Sequence, residues 1–252
     1  MNEVLQAVLI PFIGTAAGSA CVFFLRGELN EVVKKVFSAF AAGIMTAASV
    51  WSLILPALER VESMGRLAFM PVAAGFVTGV AGLIAIDRLV LNLKRQSENS
   101  DKSSMLVFAV VIHNIPEGMA AGAVYAAIMS GTGDVTLSAA LALVTGISIQ
   151  NFPEGAIISM PLRARGKSKP VSFTYGVLSG IAEAAGALVT IAAAGFVVPL
   201  LPFFLSFAAG AMIYVVVKEL IPELIGDRLH DLYVMIFTAG FLVMMALDTA
   251  LG

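Results

Sequence analysis

Long apolar segments separated by short polar ones make up most of this sequence. A helix needs about 20 predominantly apolar residues to cross a bilayer. The pattern predicts eight such helices, at about 4–25, 34–56, 69–93, 105–129, 136–162, 171–195, 202–224 and 232–251. The longest polar segment, residues 94–104, is rich in serine, asparagine and charged residues and is expected to form a loop. We therefore predict an all-α polytopic membrane protein with a single transmembrane domain over residues 1–252.

The composition agrees with a membrane protein. Hydrophobic residues make up 59% of the chain and charged residues 13%, whereas a soluble domain carries about 25% charged residues. The net charge of −2 provides no basic surface that would indicate nucleic-acid binding. Cys21 is the only cysteine, which excludes an intramolecular disulfide and a zinc site built from cysteines. We expect no cleaved signal peptide, because the N-terminus lacks a basic region.

Lysine and arginine residues cluster on one side of the predicted helices. All of them except Arg60 and Arg66 lie in or beside the first, third, fifth and seventh connections. Basic residues mark the cytoplasmic side of membrane proteins. These connections, including the 94–104 loop, are therefore predicted to be cytoplasmic. Both termini are predicted to be extracytoplasmic, in a multi-pass protein of the plasma (inner) membrane.

The first three and the last three predicted helices share short sequence matches. Three pairs differ in position by 165 to 168 residues: 16–18 with 184–186, 40–45 with 207–212, and 74–76 with 239–241. Matched helices are five places apart in chain order, so they cross the membrane in opposite directions. Inverted repeats of this kind are typical of secondary transporters. We predict a 3+2+3 inverted-repeat bundle, with repeats at 1–93 and 171–252 and a central helix pair at 105–162.

Both central helices carry a version of one six-residue motif, His113-Asn114-Ile115-Pro116-Glu117-Gly118 and Gln150-Asn151-Phe152-Pro153-Glu154-Gly155. In each copy the first residue and the glutamate are four residues apart and share one face of a helix. A carboxylate inside the membrane must become protonated or bind a cation. Imidazole and carboxylate groups are good ligands of Zn²⁺. The prolines also leave backbone carbonyls without helical partners. The two copies therefore predict a cation site near the membrane midplane.

Further polar side chains are candidates for this site. Glu183 lies near the middle of the sixth predicted helix, where it is either a ligand or a carboxyl that pairs helices. Met45 carries a soft thioether ligand, but methionine is more often apolar core. Asn114 and Asn151 follow the first residue of each motif copy and would reach a second metal ion together with the three glutamates.

Acidic residues also lie near the ends of the predicted helices. Glu59 and Asp248 fall toward the predicted outer face, and Glu219 falls toward the inner face. They either attract a cation at the entrance and accept it at the exit, or are ordinary charges at solvated helix ends.

The paired motif, the eight predicted helices and the inverted repeat resemble the ZIP (Zrt/Irt-like protein) family of divalent metal transporters. The chain is most similar to bacterial members with a binuclear metal site. The resemblance implies one metal bound by Met45, His113, Glu117, Gln150 and Glu154. It implies a second metal bound by Asn114, Glu117, Asn151, Glu154 and Glu183.

The resemblance implies import of a divalent transition metal into the cytoplasm, with Zn²⁺ as the expected substrate and Cd²⁺, Fe²⁺, Mn²⁺ or Co²⁺ as alternatives. Many relatives have histidine at the position of Gln150, so this site has one imidazole. Some relatives have aspartate at the position of Asn151, so the second metal should be held more weakly here. The expected partners are the metal ion and the lipid bilayer. No organic cofactor is expected, and a homodimer is one candidate assembly.

Two other functions would also use ionisable residues inside the membrane. A proton-coupled carrier of another ion would use the mid-membrane glutamates as proton carriers. An intramembrane metalloprotease would need two histidine ligands and a catalytic glutamate, often in a His-Glu-x-x-His motif. The chain has only His113 and His230, and His230 lies in a terminal loop. We therefore expect a transporter and not an enzyme.

Overall fold

The structure, a computed structural model, describes residues 2–24, 30–96, 102–131, 135–226 and 228–251. Within these ranges, the side chains of residues 90, 91, 93–96 and 102–113 are not described. The described residues are helical with short connections and contain no strand. The main helices are α1 (Glu3–Phe24), α2 (Glu31–Arg60), α3 (Phe69–Gln96), α4 (Lys102–Met129), α5 (Leu137–Ala164), α6 (Lys169–Ala192), α7 (Ala194–Leu224) and α8 (His230–Leu251).

Among the described residues, seven helices are long and apolar enough to cross a membrane: α1, α2, α3, α5, α6, α7 and α8. This confirms the prediction of an all-α, multi-pass membrane protein. Helix α4 has 28 residues, but the side chains of its first twelve lie outside the described part. Of the predicted 94–104 loop, residues 97–101 also lie outside it, and the flanking residues on either side belong to α3 and α4.

Capping residues explain where two of the helices begin. The side chain of Asn30 accepts a hydrogen bond from the Val32 N–H, and that of Ser168 accepts one from the Val171 N–H. Such caps satisfy backbone donors that have no partner inside the helix. Helices α2 and α6 therefore begin two to three residues before the apolar segments that predicted them.

Proline residues let α2 and α7 extend beyond their predicted limits. Pro56 and Pro202 each occupy one of the first two positions of a helical segment, where no backbone donor is needed. Helix α2 accordingly continues to Arg60, and α7 begins at Ala194 instead of near residue 202.

Helices α2 and α7 each contain a π-helical turn, at Ser49–Ile54 and at Val216–Leu220. A π-helical turn adds one residue to a helix and is frequent at functional sites. Each of these turns is followed closely by a proline, Pro56 or Pro222. The two turns begin 167 residues apart, which is the offset of the sequence match between these two helices.

The helices pack in two groups. In the first group, α1 lies along α5 and α6, and α4 lies along α6. In the second group, α2 lies along α8, and α3 lies along α7. Two apolar grooves of about 540 and 530 Å³ lie where the groups meet. One is lined by α4, α6 and α7, and the other by α1, α2, α5 and α8.

Candidate metal centre

Close helix packing brings the two motif copies together at the centre of the first group. A Cβ atom on Gly118 would lie 2.0 Å from the Glu183 carbonyl oxygen, and one on Gly155 would lie 2.2 Å from the Thr15 carbonyl oxygen. Only glycine leaves room for such an approach. Helix α4 therefore fits directly against α6, and α5 against α1. The side chains that flank these glycines are brought together as a result.

Amide side chains connect two of the predicted glutamates to α5. The Gln150 Nε2 donates to Glu117 Oε1 at 2.7 Å, which joins α5 to α4. The Asn151 Nδ2 donates to Glu183 Oε2 at 2.6 Å, which joins α5 to α6. Three helices thus meet through polar contacts. These contacts link Glu117, Gln150, Asn151 and Glu183 across the three helices.

The same side chains leave a set of oxygen atoms without donors. In the two motif copies and Glu183, six buried side-chain oxygens have no hydrogen-bond partner among the described residues: Asn114 Oδ1, Glu117 Oε2, Gln150 Oε1, Asn151 Oδ1, Glu154 Oε2 and Glu183 Oε1. Except for Glu154, which is partly exposed, these residues are at most 2% exposed. Buried acceptors without a donor are costly. We refer to these six atoms as the oxygen cluster.

The charges in the cluster have the same sign. The carboxylates of Glu117, Glu154 and Glu183 interact electrostatically with one another, and Glu154 also interacts with Glu219. Carboxylates in a low-dielectric site cannot all remain ionised without a compensating cation. Carboxylate and amide oxygens are hard ligands for divalent cations. The chemistry available to this arrangement is therefore cation binding.

Two predicted ligands are not joined to the oxygen cluster by a described contact. His113 lies on α4 one residue before Asn114, but its side chain is outside the described part. Met45 is buried on α2, in the large apolar cluster that also includes Ile147 of α5. No group of three His, Cys, Asp or Glu side chains could hold a metal within the described residues. Glu117, Glu154 and Glu183 therefore do not form such a group by themselves; the other predicted ligands with described side chains are amides and a thioether.

A cavity with several polar groups in a largely apolar lining lies at the Ser52–Glu59 end of α2. It has a volume of about 390 Å³, and its lining includes Ser52, Glu59, Thr136 and Asp248. The Ser52 hydroxyl donates to Asp248 Oδ1 at 3.0 Å, and Asp248 Oδ2 is buried without a partner among the described residues. The cavity brings together the two acidic residues predicted near the outer face.

Sequence reasoning did not identify Ser52. The 167-residue offset between α2 and α7 maps Ser52 onto Glu219, which was singled out as acidic. Applying the repeat to polar residues, and not only to the Ala-Gly matches, would have indicated Ser52. The sequence could not indicate that Gln150 bonds to Glu117 and Asn151 to Glu183. These contacts depend on the register between helices, which the sequence of one helix does not determine.

Comparison with known proteins gives a consistent result over the whole chain. The family model described as ZIP Zinc transporter matches residues 92–248. The chain is 33% identical to zinc transporter ZIP11 of Homo sapiens, covering 100% of this chain and 98% of that protein. It is 34% identical to zinc transporter ZIPB of Bordetella bronchiseptica, covering 96% and 79% of the two chains. It is 32% identical to zinc transporter GufA of Myxococcus xanthus, covering 95% and 96%.

Proposed function

The chain belongs to the ZIP zinc transporter family, and we propose that zinc crosses the membrane through the oxygen cluster of α4, α5 and α6. Zinc transport is the activity named for its relatives, which agrees with the function predicted from the paired motif. The observation that carries the proposed route is the set of six buried oxygens without donors. Divalent cations bound among them would supply the positive partners that these oxygens lack.

The proposed centre binds two metal ions. Met45, His113, Glu117, Gln150 and Glu154 would bind the first, and Asn114, Glu117, Asn151, Glu154 and Glu183 would bind the second. Glu117 and Glu154 would bridge the two ions. Support for the second position comes from its five residues, all of which have an oxygen in the cluster. For binding, the Gln150 and Asn151 amides would have to turn so that their oxygens, and not their N–H groups, face the metal.

We propose that the chain crosses the membrane eight times as a 3+2+3 inverted repeat, with α4 as the eighth spanning helix. Matched hydrogen bonds support this. The Asn114 Nδ2 donates to the Ser179 carbonyl at 3.2 Å, and the Asn151 Nδ2 donates to the Pro11 carbonyl at 3.4 Å. The two asparagines are 37 residues apart and the two acceptors 168 residues apart. One contact is therefore the repeat counterpart of the other.

Helix packing supports the same symmetry. Exchanging α1 with α6, α2 with α7, α3 with α8 and α4 with α5 converts the α1–α5 contact into the α6–α4 contact. It converts the α2–α8 contact into the α7–α3 contact. All four are extensive contacts of the fold. The same exchange also relates the two π-helical turns and the two grooves between the helix groups.

The proposed route begins at the cavity that contains Ser52, Glu59 and Asp248, on the extracytoplasmic side of the plasma membrane. It continues through the oxygen cluster and leaves past Glu219. The Glu219 carboxylate interacts electrostatically with Glu154 of the cluster. With both termini outside, these positions lie in the order that import requires. Movement of the α1–α4–α5–α6 group against the other four helices would expose the cluster first to one side and then to the other.

Uptake of radioactive zinc into proteoliposomes tests this function. The wild type should take up ⁶⁵Zn²⁺, and Glu117→Ala and Glu154→Ala should lose most of the uptake because both proposed positions lose a bridging carboxylate. Glu62→Ala is the matched control, since Glu62 is an exposed carboxylate in the connection between α2 and α3. Absence of zinc flux in the wild type over a range of pH would overturn the proposal.

A further inference from the structure

The hydroxyl group of Thr15, on α1, is buried without a hydrogen-bond partner. Thr15 is 0% exposed, and its Oγ1 contacts no donor or acceptor among the described side chains and backbone. Serine and threonine inside a helix usually donate to the carbonyl four residues earlier. Ser49 and Thr190 do so here, at 2.7 and 2.8 Å. The hydroxyl of Thr15 is therefore directed away from its own helix.

The surroundings of Thr15 explain this direction. The carbonyl four residues earlier belongs to Pro11, and the Asn151 amide approaches that carbonyl. The methyl group of Thr15 faces α6, because a Cβ atom on Gly180 would meet Thr15 Cγ2 at 3.3 Å. Asn151, which lies beside this turn of α1, also donates to Glu183. Through Asn151, this turn of α1 is thus linked to Glu183 of the second proposed metal position.

The repeat places Thr15 where the other half of the protein has Glu183. Gly118 of α4 lies against the Glu183 carbonyl, and its repeat counterpart Gly155 of α5 lies against the Thr15 carbonyl. The positions differ by 37 residues for the glycines and by 168 for Glu183 and Thr15, as for the matched asparagine contacts. Glu183 contributes to the cluster from α6, and the repeat assigns Thr15 the equivalent place on α1.

We propose that Thr15 is a further residue of the second metal position, where its hydroxyl oxygen approaches the ion from the side opposite Glu183. This assignment rests on the proposed function. The hydroxyl would contact the ion directly or through one water molecule. A neutral oxygen in the place of a second Glu183-type carboxylate keeps the charge of this position lower. The ion is then held less tightly, which a transporter needs in order to release it.

Zinc titration of the purified protein in detergent tests the role of the hydroxyl. Thr15→Val keeps the shape and methyl group but removes the oxygen. It should weaken binding of the second zinc ion about tenfold and leave the first unchanged. Thr15→Ser, which keeps the hydroxyl, is the control and should bind as the wild type does. In a Glu183→Gln background, Thr15→Val should add little, because the second position is already impaired.

Stability distinguishes this role from packing. Without metal, Thr15→Val should not lower the melting temperature, because it removes a buried polar group that has no partner. An unchanged second affinity in Thr15→Val would overturn the assignment. Equal weakening in Thr15→Val and Thr15→Ser would overturn it as well, since the hydroxyl would then be irrelevant.

A spectroscopic variant tests proximity even if Thr15→Val fails to fold. Thr15→Cys, in a Cys21→Ser background, places a soft thiolate at the proposed position. Addition of Cd²⁺ should produce a cadmium–thiolate charge-transfer absorption that the Cys21→Ser protein lacks. Absence of that absorption in a folded, cadmium-binding protein would overturn the assignment. A wild type that binds neither zinc nor cadmium would instead overturn the proposed function itself.

Discussion

Asn151 is a residue of the second proposed metal position that also makes contacts between helices. Its amide donates both to Glu183 Oε2 and to the Pro11 carbonyl, while its oxygen belongs to the cluster. Asn151→Asp would replace the donor with a carboxylate that faces Glu183. Without metal, we expect the variant to be less stable by about 1–3 kcal/mol, because two buried acceptors lose their donor. With zinc, the added charge should hold the second ion more tightly.

Thermal unfolding with and without zinc measures both effects. The stabilisation by saturating zinc should be larger in Asn151→Asp than in the wild type. Asn114→Asp is the matched comparison, because the Asn114 amide donates to the Ser179 backbone carbonyl and not to a carboxylate. Its loss of stability without metal should be smaller. Unchanged zinc affinity and stoichiometry in Asn151→Asp would count against a binuclear centre.

The sequence predicted a set of ligands for the centre but gave no indication of the hydrogen bonds between them. Spacing of four residues placed Glu117 and Glu154 on the same helix faces as His113 and Gln150, and the structure places the two glutamates in one cluster. The contact between Gln150 and Glu117 depends on the register of α5 against α4. That register follows from how closely the backbones approach, which no single helix encodes. Thr15 was not predicted as a site residue, because a single threonine in an apolar helix does not by itself indicate a metal ligand.

At the scale of helices, Gly118 and Gly155 set the distances within the centre. Gly118→Ala and Gly155→Ala would each place a methyl group about 2 Å from a backbone carbonyl oxygen of the neighbouring helix. We expect each to lower the free energy of unfolding by about 1–3 kcal/mol through overpacking, and to reduce zinc uptake by separating the ligand-bearing helices.

Gly195→Ala is the control for these substitutions. Gly195 lies in the first turn of α7 with no atom within 4 Å of an added Cβ, so alanine should be neutral or slightly stabilising there. Melting temperatures and ⁶⁵Zn²⁺ uptake of the three variants make the comparison. Normal stability and uptake in both Gly118→Ala and Gly155→Ala would contradict the close packing described for α4–α6 and α1–α5.

The sequence predicted the membrane-spanning helices but not the irregular turns within them. Apolar segments of sufficient length indicated the membrane-spanning helices, because burying backbone groups in lipid requires helices. The π-helical turns at Ser49–Ile54 and Val216–Leu220 could not be predicted. One extra residue in a turn does not alter composition or length noticeably. It shifts side chains round the helix axis, and that shift is visible only against the neighbouring helices.

At the scale of the whole molecule, the proposed orientation predicts which connections are accessible from outside. Met64, between α2 and α3, and Arg165, between α5 and α6, are both exposed. In a Cys21→Ser background, Met64→Cys should react with a membrane-impermeant thiol reagent on intact cells, whereas Arg165→Cys should react only after permeabilisation. The reverse pattern would invert the direction of transport that the basic residues predict.

Movement between the two helix groups is a property of the whole bundle and can be tested by cross-linking. Phe37 of α2 and Phe152 of α5 belong to different groups, and their ring centroids are 6.3 Å apart. In a Cys21→Ser background, a flexible bifunctional maleimide joining Phe37→Cys to Phe152→Cys should stop ⁶⁵Zn²⁺ uptake, because it holds the groups in one position. Phe23 and Phe173 lie on α1 and α6 of the same group, 5.3 Å apart. The same reagent joining Phe23→Cys to Phe173→Cys should leave uptake intact.

Uptake that survives complete linkage of the first pair would mean that zinc crosses without relative movement at this boundary, as through a channel. Loss of uptake with both pairs would contradict the division into two rigid groups, since a link within one group would then be as harmful as a link between them.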